Sequence, residues 1–234
     1  MWLVIVRHAE SEKNTAERFA SSSGLENLTV NGGSQVEQLC ESMPTLLRYL
    51  KCPSVRVLSG TNIRTSETAH ALSAVLQSPH TMTETLDSFV SSATTGKTMQ
   101  ELWNENPITA RNIYLYRAGL ANSYTVHPAY AKEASPFEDN VAELATTLMA
   151  SDCPAWVIVS SRSPLTALLI HFARLSGSYP EDFYGYVELP TASVSVVKCS
   201  SNHFGEIQAP IIGMVGVATN KAVSTAKQML ADLL

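Results

Sequence analysis

The chain has 234 residues, a length that fits one large domain or two small ones and allows a sizeable hydrophobic core. Hydrophobic residues make up 45% of it and charged residues 16%, and the net charge is −5 at pH 7. Because the chain is acidic and has no polybasic run, the composition argues against a nucleic-acid footprint and a membrane-surface patch. Any positive field is therefore expected to be local, made by a few arginines that converge in one pocket.

The cysteines and the apolar segments predict a soluble, cytoplasmic protein. The four cysteines form no CxxC pair, which indicates reduced thiols rather than a disulfide framework or a zinc site: Cys40, Cys52, Cys153 and Cys199. The apolar run at the N-terminus is too short for a signal peptide, and no basic residue precedes it. The longest later apolar stretch, Leu165 to Leu175, is broken by His171 and Arg174 and is too short to span a bilayer.

The first part of the chain alternates between short apolar runs typical of buried strands and segments with helical spacing. Gly, Ser and Asn mark the loops between them. In chain order the predicted elements are a strand at Met1–Val6, a polar loop at Glu10–Ser23, a turn at Leu28–Gly33, a helix from Ser34 to about Leu50, a strand at Val55–Ser59, a helix from Ile63 to about Leu76 and a weaker strand at about Thr81–Leu86.

The second part continues the alternation after a weakly patterned region. Its predicted elements are helices at Thr98–Trp103 and Pro107–Arg117, a loop or cap at Gly119–Pro136, a helix at Glu138–Met149, a strand at Ala155–Ser160, a helix from Pro164 to Leu175, edge strands at Val194–Lys198 and Glu206–Pro210, and a closing helix at Val223–Leu234. No repeat or linker divides the chain. The pattern predicts one α/β domain over residues 1–234 with a largely parallel sheet.

Three predicted strands end in basic or small polar residues. Arg7 and His8 follow the first strand, Arg64 lies just after the strand that ends at Ser59, and the third strand runs into Ser160-Ser161-Arg162. Ligands of α/β sheets bind beyond the carboxyl ends of the strands. If these ends are adjacent, they form a pocket in which arginine forks suit a phosphate and a histidine can attack phosphorus. Arg64 lies in the first turn of a predicted helix. An anion bound at the start of this helix would also accept hydrogen bonds from its free backbone N–H groups.

At these residues the chain resembles the histidine phosphatase superfamily, which has the phosphoglycerate-mutase-like fold. The resemblance covers most of the chain to about Leu175, and residues 102–117 are faintly similar to the fructose-2,6-bisphosphatase branch. The matching motifs are Arg7-His8-Ala9-Glu10-Ser11-x-x-Asn14 (RHGxTxxN in the family), Leu28-Thr29-x-x-Gly32-x-x-Gln35 (LTxxGxxQ), Ser59-x-x-x-x-Arg64-x-x-x-Thr68-Ala69 (SxxxxRxxxTA) and the strand Val157–Ser160 with the apolar helix after it (VSHGG).

The resemblance implies a three-layer fold, with a mostly parallel sheet between helices on both faces. It also implies that His8 is a transiently phosphorylated nucleophile, that Arg7 and Arg64 clamp the phosphoryl oxygens, and that Asn14 adds a hydrogen bond to the same phosphate. No metal or cofactor is expected, because arginines neutralise the charge. The expected ligand is a small phosphorylated molecule or a phosphoprotein, selected by a cap at about residues 88–136.

Two positions depart from the family pattern. Ser161 stands where the family has its second pocket histidine, and Ser88 stands in the register of the general acid. A serine at 161 still donates one hydrogen bond but carries no charge, so Arg162 is either a replacement for that charge or a solvent-facing residue. The candidate acids are Asp87, Glu84 and a residue from the cap loop.

Other residues are weaker candidates or are expected to be ordinary. His127 is a weaker candidate for the acid role. The remaining histidines outside the motif are expected to be ordinary packed or surface residues: His70, His80, His171 and His203. The sequence argues against a serine hydrolase, because the glycines of a GxSxG turn are absent around Ser161.

Two functional hypotheses follow from these departures. The first is a phosphomonoesterase that works through phospho-His8, which we prefer to a mutase because the sequence shows no sign of a closed site. The second is a catalytically impaired relative that binds a phosphorylated ligand or a protein partner. Loss of the acid would remove a contribution of about 10²–10⁴ in rate while leaving phosphate binding intact.

Overall fold

The computed structural model describes residues 1–16, 26–117, 128–177, 189–200 and 209–232. Within these ranges the strands are β1 (Trp2–Arg7), β2 (Arg56–Ser59), β3 (His80–Met82), β4 (Ala155–Ser160), β5 (Val194–Lys198) and β6 (Ile211–Val217). The helices there are α1 (Glu12–Thr15), α2 (Val30–Tyr49), α3 (Ile63–Leu76), α4 (Met99–Glu105), α5 (Pro107–Arg117), α6 (Pro128–Met149), α7 (Arg162–Leu175) and α8 (Thr219–Asp232). None of these helices is long and apolar enough to cross a membrane.

The strands form one mixed sheet in the order β3-β2-β4-β1-β5-β6. The first four in this order pair in parallel, whereas β5 runs antiparallel to both of its neighbours. Parallel strands need crossover connections, which the helices supply. The predicted α/β fold with a mostly parallel sheet is therefore confirmed.

The alternation of side chains along β1 divides the core into two layers. Val4 and Val6 face a cluster that includes residues of α2, α3 and α8, whereas Leu3 and Ile5 face a cluster built with α6 and α7. All four side chains are almost completely buried. The sheet is thus covered on both faces, as the resemblance implied.

A third, smaller apolar cluster joins α4, α5 and the first half of α6. It consists of Leu102, Ala110, Ile113 and Ala134, with Phe89 and Met99 packed at its edge. This cluster lies in and beside the predicted cap at about residues 88–136, of which residues 118–127 lie outside the described ranges. The division into one domain with a cap stays a prediction.

Several predicted boundaries are wrong. The predicted turn at Leu28–Gly33 includes the first turn of α2, because Thr29 caps the helix and its Oγ1 accepts from the amide of Gly32 at 3.0 Å. The predicted strand at Thr81–Leu86 is shorter, since β3 ends at Met82 and a 3₁₀ turn follows at Glu84–Leu86.

Two more errors lie in the second half of the chain. The predicted loop at Gly119–Pro136 is helical from Pro128 onward, because Ala134 and Phe137 continue the apolar spacing of α6 across Pro136. The predicted edge strand at Glu206–Pro210 is wrong where it is described, since residues 209–210 precede β6. The closing helix begins at Thr219 rather than Val223.

Candidate active site

The carboxyl ends of β1, β2 and β4 meet at one edge of the sheet. Arg7 pairs with Ser160 across β1 and β4, and Ser59 pairs with Val159 across β2 and β4. Of the residues that follow these ends, Arg64 contacts both His8 and Ser161. The adjacency expected from the sequence is therefore present.

His8 is the buried centre of this group, with 2% of its surface exposed. Its backbone amide donates to the carbonyl of Ser160 at 2.9 Å, and its carbonyl accepts from the amide of Ala192 at 3.1 Å, so the backbone is held between β4 and the segment before β5. Nδ1 lies 2.6 Å from the carbonyl oxygen of Ala9. Because a carbonyl only accepts, Nδ1 carries the hydrogen and Nε2 presents its lone pair.

The surroundings of His8 favour its neutral form. Burial lowers the pKa of His8 well below its ordinary value of 6.5, and the nearby charge of Arg64 lowers the pKa further. The hydrogen bond to the carbonyl of Ala9 raises the pKa of His8, whereas the charges of Arg7 and Lys13 lower it. A neutral imidazole with Nε2 unprotonated is the form that can act as a nucleophile.

Arg64 connects the parts of the site. Its side chain is 2% exposed, and Nε donates to Nε2 of His8 at 3.1 Å. Nη2 donates to Asn62 Oδ1 at 3.0 Å, to Ser88 Oγ at 2.6 Å and to Ser161 Oγ at 3.2 Å. A guanidinium is a fork of donors whose geometry suits phosphate oxygens.

Ser88 and Ser161, the two departures from the family pattern, lie side by side. Ser88 Oγ accepts from Arg64 and donates to Ser161 Oγ at 2.7 Å. Ser161 is the residue before α7, and its side chain makes no capping hydrogen bond to that helix. Both hydroxyls therefore line the pocket, but neither is an acid of the strength that the resemblance would require.

Lys13 and Glu26 also belong to the group of side chains around Arg64, although no pattern in the sequence indicated either residue. The Glu26 carboxylate contacts Nη1 of Arg64, and its other oxygen lies 3.6 Å from Nζ of Lys13. Burial and the nearby Arg64 lower the pKa of Lys13, an effect that Glu26 partly offsets.

A short antiparallel contact brings together the segments that carry these two residues. Ser11 bridges Leu28, and the amide of Glu12 donates to the carbonyl of Asn27 at 3.0 Å. Lys13 lies in α1, which begins at Glu12, and Glu26 directly precedes Asn27. No local sequence pattern contains this contact between segments.

The remaining predicted phosphate ligands lie around this pocket. Arg7 is half-buried at the end of β1, and its Nη1 donates to the carbonyl of Leu189. Asn14 Oδ1 accepts from the amide of Ser11 at 2.9 Å and from its hydroxyl at 3.0 Å, so the capping box of α1 fixes the side chain. Arg162 is the half-buried first residue of α7. Contact of these three residues with a phosphate stays a prediction.

The two candidate acids are placed differently from Ser88. Asp87 binds the start of α3, where its Oδ1 accepts from the amides of Thr61 at 2.6 Å and Asn62 at 3.2 Å, and its Oδ2 accepts from the Thr61 hydroxyl. Glu84 is exposed in the 3₁₀ turn. The described contacts join neither carboxylate to His8, and their acid role stays a prediction.

The LTxxGxxQ residues hold the loop that carries His8. Gln35 Oε1 accepts from the amide of Glu10 at 2.8 Å, and Thr29 Oγ1 donates to the Glu10 carboxylate at 2.7 Å. Gly32 packs so closely that a Cβ there would lie 2.0 Å from the Glu10 carbonyl oxygen. Thr68 adds a link from α3, since its Oγ1 donates to the Arg64 carbonyl at 2.8 Å and accepts from the amide of Ala9 at 3.2 Å.

The other histidines have contacts outside this pocket or lie outside the described residues. His80 Nε2 lies 2.8 Å from Ser59 Oγ, which donates to the carbonyl of Gly60, and His171 lies within α7. His127 and His203 fall outside the described ranges. In the described part of the chain, no group of three or more His, Cys, Asp or Glu residues could hold a metal ion.

The fold and the site define a class: an α/β protein with a buried neutral histidine in contact with a buried arginine at the carboxyl edge of its sheet. The family model of the histidine phosphatase superfamily (branch 1) matches residues 3–208. The chain therefore belongs to the histidine phosphatase superfamily. Comparison with curated protein sequences finds no significant match.

Solved structures share the fold at low sequence identity. YhfR of Bacillus stearothermophilus is 17% identical, with a TM-score of 0.71 over 92% of this chain and 96% of that one. An Escherichia coli protein described as a putative alpha-ribazole-5'-P phosphatase is 17% identical, with a TM-score of 0.66 over 93% and 98%. The mycobacterial glucosyl-3-phosphoglycerate phosphatase is 18% identical, with a TM-score of 0.65 over 92% and 99%. At this identity the likeness establishes the fold alone.

Proposed function

We propose that the protein hydrolyses a phosphomonoester through a phosphohistidine at Nε2 of His8. The observation that carries this proposal is the neutral, buried His8 whose Nε2 faces the guanidinium of Arg64 at 3.1 Å. In the first step, Nε2 forms a bond to phosphorus while the ester oxygen leaves with its electron pair and takes a proton. In the second step, water attacks the phosphohistidine and returns the imidazole and inorganic phosphate.

The cationic side chains supply the electrostatic part of this chemistry. Arg64 is buried against His8, Arg7 adjoins His8 along the chain, and both charges act on the imidazole. Preorganised cations of this kind stabilise the phosphoryl oxygens in the transition state without a metal ion. The ligand that we propose is a small phosphorylated molecule or a phosphoprotein in the cytoplasm, a compartment that suits the four free thiols.

A second candidate function is phosphate-dependent binding without turnover. The pair Ser88 and Ser161 favours it, because two neutral hydroxyls bonded to each other and to Arg64 occupy the positions of the family's acid and second histidine. Such a pocket would still hold a phosphate through its arginines. It would lack the protonation of the leaving oxygen, which typically contributes about 10²–10⁴ in rate.

Turnover and binding assays on the wild type and His8→Ala decide between these functions. We expect the wild type to hydrolyse p-nitrophenyl phosphate and to form an acid-labile phosphoprotein in a quenched reaction, and His8→Ala to do neither. His171→Ala is the matched control, because His171 is a partly buried histidine in α7 and should change neither result. Equal rates in wild type and His8→Ala would refute hydrolysis through His8.

Calorimetry with inorganic phosphate completes the test. Binding by a wild type that shows no turnover would support the second candidate function. Absence of both binding and turnover would refute both functions. Because His8→Ala retains Arg64, weak residual phosphate binding by this variant is expected in either case.

A further inference from the structure

The proposed hydrolysis needs a proton for the leaving oxygen, and the described site has no acid at position 88. Asp87 accepts three hydrogen bonds at the start of α3, and Glu84 is exposed. Glu26 has a different environment. Its carboxylate contacts Nη1 of Arg64, whose Nε contacts the nucleophilic nitrogen of His8.

We propose that Glu26 is the catalytic acid of this protein and replaces the family acid that Ser88 lacks. The proposal rests on the function proposed above. In the first step, the bond between His8 Nε2 and phosphorus forms, the bond between phosphorus and the ester oxygen breaks, and the Glu26 carboxyl group gives its proton to that oxygen. In the second step, the oxygen of water forms a bond to phosphorus, the bond between phosphorus and His8 Nε2 breaks, and the Glu26 carboxylate takes the proton that the water loses.

The contacts of Glu26 give it the position that this role requires. One guanidinium separates its carboxylate from His8 Nε2, so both groups reach a phosphoryl group bound against Arg64. The Glu26 side chain is 21% exposed, which leaves it open to solvent for reprotonation. The antiparallel pairing of residues 11–12 with residues 27–28 holds the backbone next to Glu26.

Two cations hold the Glu26 carboxylate beside the site of the proposed reaction. Among the described residues, Arg64 and Lys13 contact this carboxylate. A phosphate dianion bound to the same cations would therefore lie next to Glu26.

The leaving group provides a test that separates an acid from a residue that only shapes the site. Glu26→Gln keeps the size of the side chain but cannot donate a proton in this way. We expect kcat/KM for an alkyl phosphate such as glycerol phosphate to fall about 10²-fold or more, because its leaving oxygen is strongly basic. For p-nitrophenyl phosphate, whose leaving group needs no proton, we expect a fall of less than about tenfold.

Two controls accompany Glu26→Gln. Glu12→Gln removes an exposed carboxylate from the paired segment and should leave both rates unchanged. Calorimetry with inorganic phosphate should show that Glu26→Gln binds phosphate at least as tightly as the wild type, because the substitution removes a negative charge from beside the anion.

The outcomes are distinguishable. Equal losses on the two substrates, or loss of phosphate binding, would show that Glu26 only shapes the site and would overturn the proposal. Faster turnover by Glu26→Gln would also overturn it, because the carboxylate would then merely compete with phosphate for Arg64. A wild type with no turnover on either substrate would refute the proposed hydrolysis, and the acid role with it. Unchanged rates would overturn the acid role alone.

Discussion

Gly32 allows a sharp test of how the loop that carries His8 is held. It lies in the first turn of α2, and an added Cβ would lie 2.0 Å from the carbonyl oxygen of Glu10 and 3.1 Å from the carbonyl carbon. Both atoms are backbone, so the clash cannot be relieved by a side-chain rotation. Gly33 is the matched control, because an added Cβ there meets nothing within 4 Å.

The structure sets the size of the expected difference. A Gly→Ala change in a helix is worth about 1 kcal/mol of stabilisation, so Gly33→Ala should raise the free energy of unfolding by up to about that amount. Gly32→Ala should gain the same stabilisation from helix propensity. It should also lose about 1–3 kcal/mol or more of its free energy of unfolding, because the added methyl group overpacks the contact with Glu10. Because the clash falls on the backbone of Glu10, two residues after His8, we also expect phosphate binding to weaken.

Urea unfolding followed by circular dichroism measures the first effect, and calorimetry with inorganic phosphate measures the second. The two variants should differ by about 1–3 kcal/mol in stability, with Gly32→Ala the less stable. Equal stability of Gly32→Ala and Gly33→Ala would refute the close packing of α2 on the loop. Unchanged phosphate affinity in a destabilised Gly32→Ala variant would show that the loop position does not control the site.

Three further predictions concern the site. Arg64→Lys should lower kcat/KM for p-nitrophenyl phosphate at least about 10²-fold, because an ammonium cannot contact His8, Ser88 and Ser161 together. Asp87→Ala should lower the free energy of unfolding in urea by about 1–3 kcal/mol, because Asp87 accepts hydrogen bonds from the turn that leads into the helix with Arg64. Asp139→Ala, at an exposed position, should not lower it. The depressed pKa of His8 contributes stability that is fully present above about pH 6.5 and declines as the unfolded chain takes a proton below it. The thermal midpoint of His8→Gln should therefore fall less than that of the wild type between pH 7 and pH 5.

The sequence was sufficient for the parts of the fold that depend on local apolar pattern. The first and third of the three strands are continuous apolar runs, and the second is a shorter one next to Arg56. Their polar ends identified the edge of the sheet where His8, Arg64 and Ser161 meet. The start of α2 was missed because two adjacent glycines resemble a turn. Gly32 is required there by the approach of Glu10, a contact between segments that no local pattern contains.

A contact between distant segments also explains why the helix α6 was predicted to begin at Glu138 rather than at Pro128. Pro136 has the appearance of a helix breaker, yet Ala134, Phe137, Val141, Ala145 and Leu148 continue one buried face across it. A proline removes one helical hydrogen bond, and burial of this face compensates for the loss. Long-range packing thus decided a boundary that the local signal placed several residues later.

The charge balance of the pocket was the least predictable feature. A serine at position 161 removes a cation that the family motif would supply, and Arg162 is one candidate replacement for its charge. In the structure, Lys13 brings a cation close to Arg64 through Glu26, whose carboxylate lies 3.6 Å from Nζ of Lys13. Lys13 and Glu26 have no apolar periodicity and belong to no motif position, so only the pairing of residues 11–12 with residues 27–28 reveals them. A cation and a carboxylate lie in the same pocket, and the reactions of Glu26→Gln with alkyl and aryl phosphates decide whether the carboxylate has taken over the lost role.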